Sequence, residues 1–141
     1  MRQTYAASAK RYLQLADHLL ISTYPLVKDT KILLGVLTNL AQAHINTIIY
    51  ALSAKVPPLK TEKAQFEQFM HHFKTEVSEE EMKSIQIIYD LVEEHKTSTI
   101  EFARKQKLVM CDNHYEFYAL TPESLKKHLR HARNIQKKLI G

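Results

Sequence analysis

Two glycines, one cysteine, four prolines and no tryptophan in 141 residues leave few means of turning sharply or of stapling the chain. One glycine is the terminal residue, Gly141, so Gly35 alone is internal. Such a shortage of chain breakers disfavours a many-stranded fold full of tight turns and favours long helices. It also excludes a glycine-rich phosphate loop, whose backbone must approach the phosphates at several positions without side chains. The single cysteine, Cys111, rules out an intramolecular disulfide and fits a reducing, cytoplasmic compartment. The opening MRQTYAASAKRY has no apolar core ahead of a cleavage site and does not read as a signal peptide.

What is present is ordinary for one globular domain: 45% apolar and 25% charged residues, enough for a single core at this length. Residues 32–54 carry no charge over 23 positions, which is long enough to cross a bilayer. Asn39, Gln42, His44 and Asn46 interrupt that stretch, and polar groups are costly in hydrocarbon. A buried central helix is therefore expected, and no membrane partner.

Helical periodicity runs through most of the chain. Tyr5, Ala9, Tyr12, Ala16 and Leu19 mark one face of a first helix from Thr4 to Ser22, which Tyr24-Pro25 is expected to end. Asp29 is a good cap for a second helix to Ser53, with Leu33, Leu37, Leu40, His44, Ile48 and Ala51 on one face. Gly35, Asn39, Gln42, Asn46, Tyr50 and Ser53 make a second face, polar but uncharged. Val56-Pro57-Pro58 breaks the chain.

A third helix is predicted over Glu62–Lys74, with Phe66, Phe69, Met70 and Phe73 inward. Ser78 with Glu81 reads as a capping box that opens a fourth helix to His95, and Thr99–Lys105 as a short helical turn. Leu108–Cys111 and Tyr115–Tyr118 around Asp112-Asn113-His114 read as a β-hairpin, and Thr121-Pro122-Glu123 as the start of a last helix. The expected fold is mainly α: one domain, 1–141, of about five helices. It comprises a bundle over 3–105, a hairpin over 107–120 and a basic helix over 121–140.

Charge is unevenly distributed. Residues 1–60 carry +5, residues 61–103 carry −6 and residues 104–141 carry +6. On the last helix Lys126, Lys127, Arg130, Arg133, Lys137 and Lys138 lie off the apolar stripe, with His131 among them. Such a basic face can track phosphates, because cation–phosphate contacts release counterions. It can equally be a solvated face whose final cations suit the helix dipole, or meet the acidic middle segment of this or another chain.

Eight histidines invite a search for chemistry. Cys111 and His114 have the spacing of half a zinc site, which His128 and His131 would have to complete; Asp112-Asn113 accounts for the turn without a metal, and no cofactor is expected. His44 stands in the apolar stripe of the uncharged helix, where a core histidine with satisfied nitrogens is the ordinary reading.

Thr38-Asn39-Leu40-Ala41-Gln42-Ala43-His44 resembles the motif of the HEPN superfamily of helical bundles (higher-eukaryote and prokaryote nucleotide-binding domains). Active members carry an arginine, usually followed by asparagine, and a histidine four to six positions after the arginine. Here Asn39 and His44 are present and Thr38 stands in the arginine's place. A second pair, Arg11 and His18, has six residues between and falls on a different helix. The resemblance covers roughly residues 3–55 and, given the missing arginine, implies an inactive relative. Thr23–Asp29 is also similar to small archaeal proteins, a likeness that brings no activity with it.

The expectation is a non-catalytic helical interaction module, a possible dimer, that binds RNA or a ribonucleoprotein through its basic last helix. One alternative is a HEPN-type ribonuclease or toxin-like enzyme with His44 or His18 as general acid or base and Arg11 or Lys31 as the cation. The other is a purely protein-binding, antitoxin-like module that uses the neutral face Asn39, Gln42, Asn46 and Tyr50.

Overall fold

A computed structural model describes residues 2–98, 100–112 and 114–141. Among the described residues, four helical rods and a small sheet are built around one central helix. The first rod is α1 (Arg2–Asp17), a π-helical turn (His18–Thr23) and α2 (Tyr24–Val27). Then come α3 (Lys31–Leu52), α4 (Glu62–His72) and α5 (Glu79–Thr97). Strands β1 (Ile100–Arg104), β2 (Lys107–Cys111) and β3 (Phe117–Leu120) precede α6 (Pro122–Leu139). The mainly helical architecture with a hairpin before the last helix is the one the periodicity predicts.

The uncharged stretch becomes α3, the axis of the molecule. It is the one helix among the described residues long and apolar enough to cross a membrane, and half of that apolar stretch is buried within the fold. Leu33, Val36, Leu37 and Leu40 are fully buried in one apolar cluster with Leu20, Ile88, Leu125, Leu129 and the inner face of the sheet. Ile48 and Leu52 enter a second cluster with Phe66, Phe69, Phe73, Ile85 and Ile135. Met70, expected inward, is 37% exposed.

The first rod lies along α3 through small residues. Ala9 and Ala16 are fully buried, and a Cβ on Gly35 would stand 3.2 Å from Leu19 Cδ1. Thr30, one residue after the expected Asp29, is the N-cap of α3 and makes no side-chain cap, while Asp29 Oδ1 accepts from Lys31 N at 2.9 Å. Both remaining caps are as expected: Ser78 and Glu81 form the reciprocal box, and Thr121 Oγ1 accepts from Ser124 N at 3.1 Å.

Three local expectations are corrected. Pro25 does not end the first helix: Tyr24 keeps helical angles (φ −57, ψ −44) and its N–H reaches Leu19 O, five residues back. The wider π-turn moves the carbonyls that a proline ring would otherwise strike, so the helix passes through Pro25 and stops at Lys28 in the left-handed region. Residues 100–104 are a strand rather than a helical turn, with Thr99 outside the described residues. β1 pairs with β2 across Lys105-Gln106, both at positive φ (49 and 63). That is the conformation of a two-residue type I′ hairpin made without its usual Asn-Gly signal, which is why the sequence hides it.

The hairpin proper pairs Cys111 with Phe117 and Leu108 with Leu120, so its second strand starts two residues later than expected. Asp112 shapes the longer loop, its Oδ1 accepting from His114 N at 2.8 Å and Glu116 N at 3.0 Å.

The tight α1–α3 contact sets a test. Gly35→Leu is expected to destabilise the fold by about 2 kcal/mol or more, because a branched side chain has no room against Leu19. Gly35→Ala should stay within about 1 kcal/mol, since a flexible methyl can give way while alanine favours the helix. Urea unfolding midpoints of the two variants measure the difference.

Candidate functional site

The basic helix α6 buries one side and displays the other. Leu125, Leu129, Ala132 and Ile135 are at most 1% exposed, and Gln136 Nε2 donates to Ala9 O at 2.7 Å, fastening the helix to α1. At 100° per residue, Lys126, Arg130, Arg133 and Lys137 fall within about 60° of one another, at spacings i, i+4, i+7 and i+11. They form a stripe about 16 Å long on the solvent side. Lys127 and Lys138 lie along the other exposed flank.

Two of the six expected phosphate contacts are committed within the fold. Arg133 pairs with Asp17 of α1. Lys138 Nζ pairs with Glu81 Oε1 at 2.7 Å and so ties the end of α6 to the start of α5. Burial alone would push the Glu81 carboxyl up. The Lys138 hydrogen bond, the Ser78 N–H and the Lys138 charge outweigh it and hold that carboxyl below its usual value. Lys126, Lys127, Arg130 and Lys137 make no ion pair among the described residues.

Behind the stripe three polar side chains are buried together. On α3, His44 sits between Leu40 and Ile48 and is 2% exposed. On α5, Ser84 lies beside Ile85, and on α6 His128 lies beside Leu129. Ser84 Oγ and His128 Nδ1 are 2.7 Å apart across the helices. His44 Nε2 is buried with no hydrogen-bonding partner among the described residues.

Burial, reinforced by the neighbouring His128 and His131, pushes His44 down to about 3 from 6.5. Burial first, then His131 and Lys127, lowers His128 as well. Both imidazoles are therefore neutral near pH 7. Ser84 escaped the sequence reading; the available signal was a small hydroxyl on the apolar stripe of α5, among Ile85 and Ile88.

The alternative catalytic set is not brought together. His44 is enclosed, whereas His18, which opens the π-turn, and Arg11, set beside the Tyr12 ring, are exposed. Lys31, at the start of α3, is also exposed and lies more than three turns before His44. Asn39 Nδ2 donates to Gly35 O at 2.7 Å, and Thr38 Oγ1 to the same carbonyl at 3.2 Å, so both turn back onto their own helix. Asn39 and His44 point about 140° apart.

The zinc alternative is not assembled either: no group of three His, Cys, Asp or Glu among the described residues is placed to hold a metal ion. Cys111 is buried with its thiol on Asp112 O, His114 is exposed in the loop, His128 is engaged by Ser84, and His131 is half-buried. Of the neutral face, Asn46 bonds Gln42 O and Tyr50 lies under the Arg2 guanidinium at 4.0 Å, while Gln42 stays exposed. No protein-family model, curated protein or solved structure matches the chain.

The histidine layer gives the fold an acid limit. An unfolded chain protonates His44 near 6.5 and the folded one only near 3, so its contribution to stability is present above pH 6.5 and lost progressively as pH falls towards 3. Between pH 7 and pH 5, above the carboxylate range, the loss from His44 is about 2 kcal/mol. Urea titrations at the two pH values should show it. His44→Met should flatten that dependence, and an equal loss in both proteins would place its source elsewhere.

Proposed function

We propose that the protein is a non-catalytic, cytosolic interaction module that binds the phosphate backbone of RNA, free or within a ribonucleoprotein, along α6. The observation that carries this reading is the stripe Lys126, Arg130 and Lys137, exposed on one side of a helix whose opposite side is locked into the core. Arg133 stands in the same stripe, where Asp17 holds it in place. Cations carried on a folded helix lose less backbone freedom on binding than a mobile basic tail does, and they follow a polyanion without reading its bases.

The lack of a gathered catalytic set favours binding over cleavage. His44 is sealed and neutral, and Asn39 is turned back onto Gly35 O of its own helix, with Thr38 where a cation would be needed to stabilise a pentavalent phosphate. Lys138 belongs to the fold rather than to this surface, because removing it would leave Glu81 buried and unpaired.

Fluorescence anisotropy with a labelled structured RNA across a salt series tests the reading. Lys126→Glu with Arg130→Glu should weaken binding by tenfold or more and flatten the slope of log affinity against log salt by about two contacts. Unchanged affinity in the folded double variant would remove α6 as the site. Electrophoresis of the same samples should recover intact RNA; cleavage abolished by His18→Ala or His44→Ala would instead establish a nuclease.

A further inference from the structure

On the far side of α5 the bundle is left open. α4 and α5 each pack on α3, and they approach one another at Phe66 and Tyr89, whose rings meet edge-on at 5.5 Å. Above that contact lies a cleft of about 630 Å³ between the two helices, with α3 as its floor.

Each wall is a helix-packing face. α3 presents Thr38, Ala41, Gln42 and Ile45. α4 presents Lys63, Phe66, Glu67 and Met70. α5 presents Gln86, Tyr89, Asp90 and Glu93. All three sets have the spacing i, i+3, i+4, i+7, which is the face one helix offers to a neighbouring helix. Thr38 and Gln42 are exposed here on a helix that is otherwise the core axis, and Met70 is an exposed apolar side chain on the wall. The arrangement is a bundle with one helical lane vacant.

Charge narrows what can fill it. Glu62, Glu67, Asp90 and Glu93 line the cleft against Lys63 and Lys96, and Lys96 is already paired with Glu93 at 3.3 Å. A helix laid in this lane meets an apolar floor flanked by net negative charge. The chain's own basic helix does not qualify, because the apolar stripe of α6 is buried in its own core.

We infer that the α3–α4–α5 cleft is a docking site for a basic amphipathic helix of another protein, with a narrow apolar stripe on the floor and lysine or arginine along both flanks. Ala41, Ile45, Phe66 and Met70 take the stripe, and Glu67 and Asp90 face the cations. This site is separate from the phosphate stripe. Ser84, which meets α6, and Glu93, which lines the cleft, are nine residues apart, half a turn around α5.

The test uses a fluorescein-labelled peptide of about eighteen residues, long enough to fold as a helix, with leucines at i, i+3, i+4, i+7 and lysines on the remaining face. Saturable binding to the whole chain is expected, with amide shift changes at Thr38, Gln42 and Asp90. A version with glutamate in place of lysine should bind at least tenfold more weakly.

Glu67→Lys with Asp90→Lys should cost the cationic peptide a similar factor. Gln42→Trp, which fills the floor from an exposed position, should do the same with an unchanged unfolding midpoint. Lys126→Glu with Arg130→Glu should leave peptide binding intact, which separates this site from the RNA surface. No saturable binding, equal binding of the acidic peptide, or binding retained by both cleft variants would overturn the inference. Self-association of the chain that Gln42→Trp abolishes would also overturn it, by making a second copy the occupant.

Discussion

A helix whose one charge stands at its first residue can be kept in the middle of a small protein only if other elements cover it. α3 imposes that condition on the whole chain: the α1–α2 rod, α4, α5, α6 and the inner face of the sheet each turn an apolar surface towards it. How closely they approach depends on a few small side chains. Ala9, Ala16 and Gly35 let the first rod lie against α3 with little between the backbones, and Gln136 and Arg133 then fasten α6 to that rod. The covering is incomplete in one sector, where α4 and α5 diverge.

Within this apolar frame His44 and the Ser84–His128 pair form a buried polar layer, and Thr47, Glu81 and Gln136 are buried as well. A buried imidazole nitrogen without a partner carries a desolvation cost of about 1–3 kcal/mol, which the surrounding packing must offset. What the layer contributes is discrimination between registers. Sliding α6 by one turn against α5 would bring His128 away from Ser84 and into leucine and isoleucine, a mispacking that a uniformly apolar seam would tolerate.

Elements with local causes were legible in the sequence. The Ser78–Glu81 box, the Thr121-Pro122 start and the charge-free run of α3 each announce themselves within a few residues, and each stands where expected. What was not legible depends on partners distant in the chain or on unusual backbone. Pro25 reads as a terminator unless the preceding turn widens, and β1 reads as a helical turn because Lys105-Gln106 adopt a hairpin conformation that favours other residues. The same limit applies to the candidate sites. Six basic residues look equivalent on a helical wheel, but Asp17 and Glu81, more than fifty residues away in each case, pair with Arg133 and Lys138. The cleft is invisible until three separate helices are placed side by side.

Of the +6 carried by residues 104–141, α6 holds +5, and of the −6 carried by residues 61–103, α4 and α5 together hold −5. The molecule therefore behaves as an electric dipole as well as a weak polycation. In the field of a long polyanion it experiences a torque that turns α6 forward and the acidic side away before any contact forms. On the proposed reading a larger share of collisions is then productive than the net charge of +5 alone would give, and that advantage fades once added salt brings the screening length below the width of the bundle.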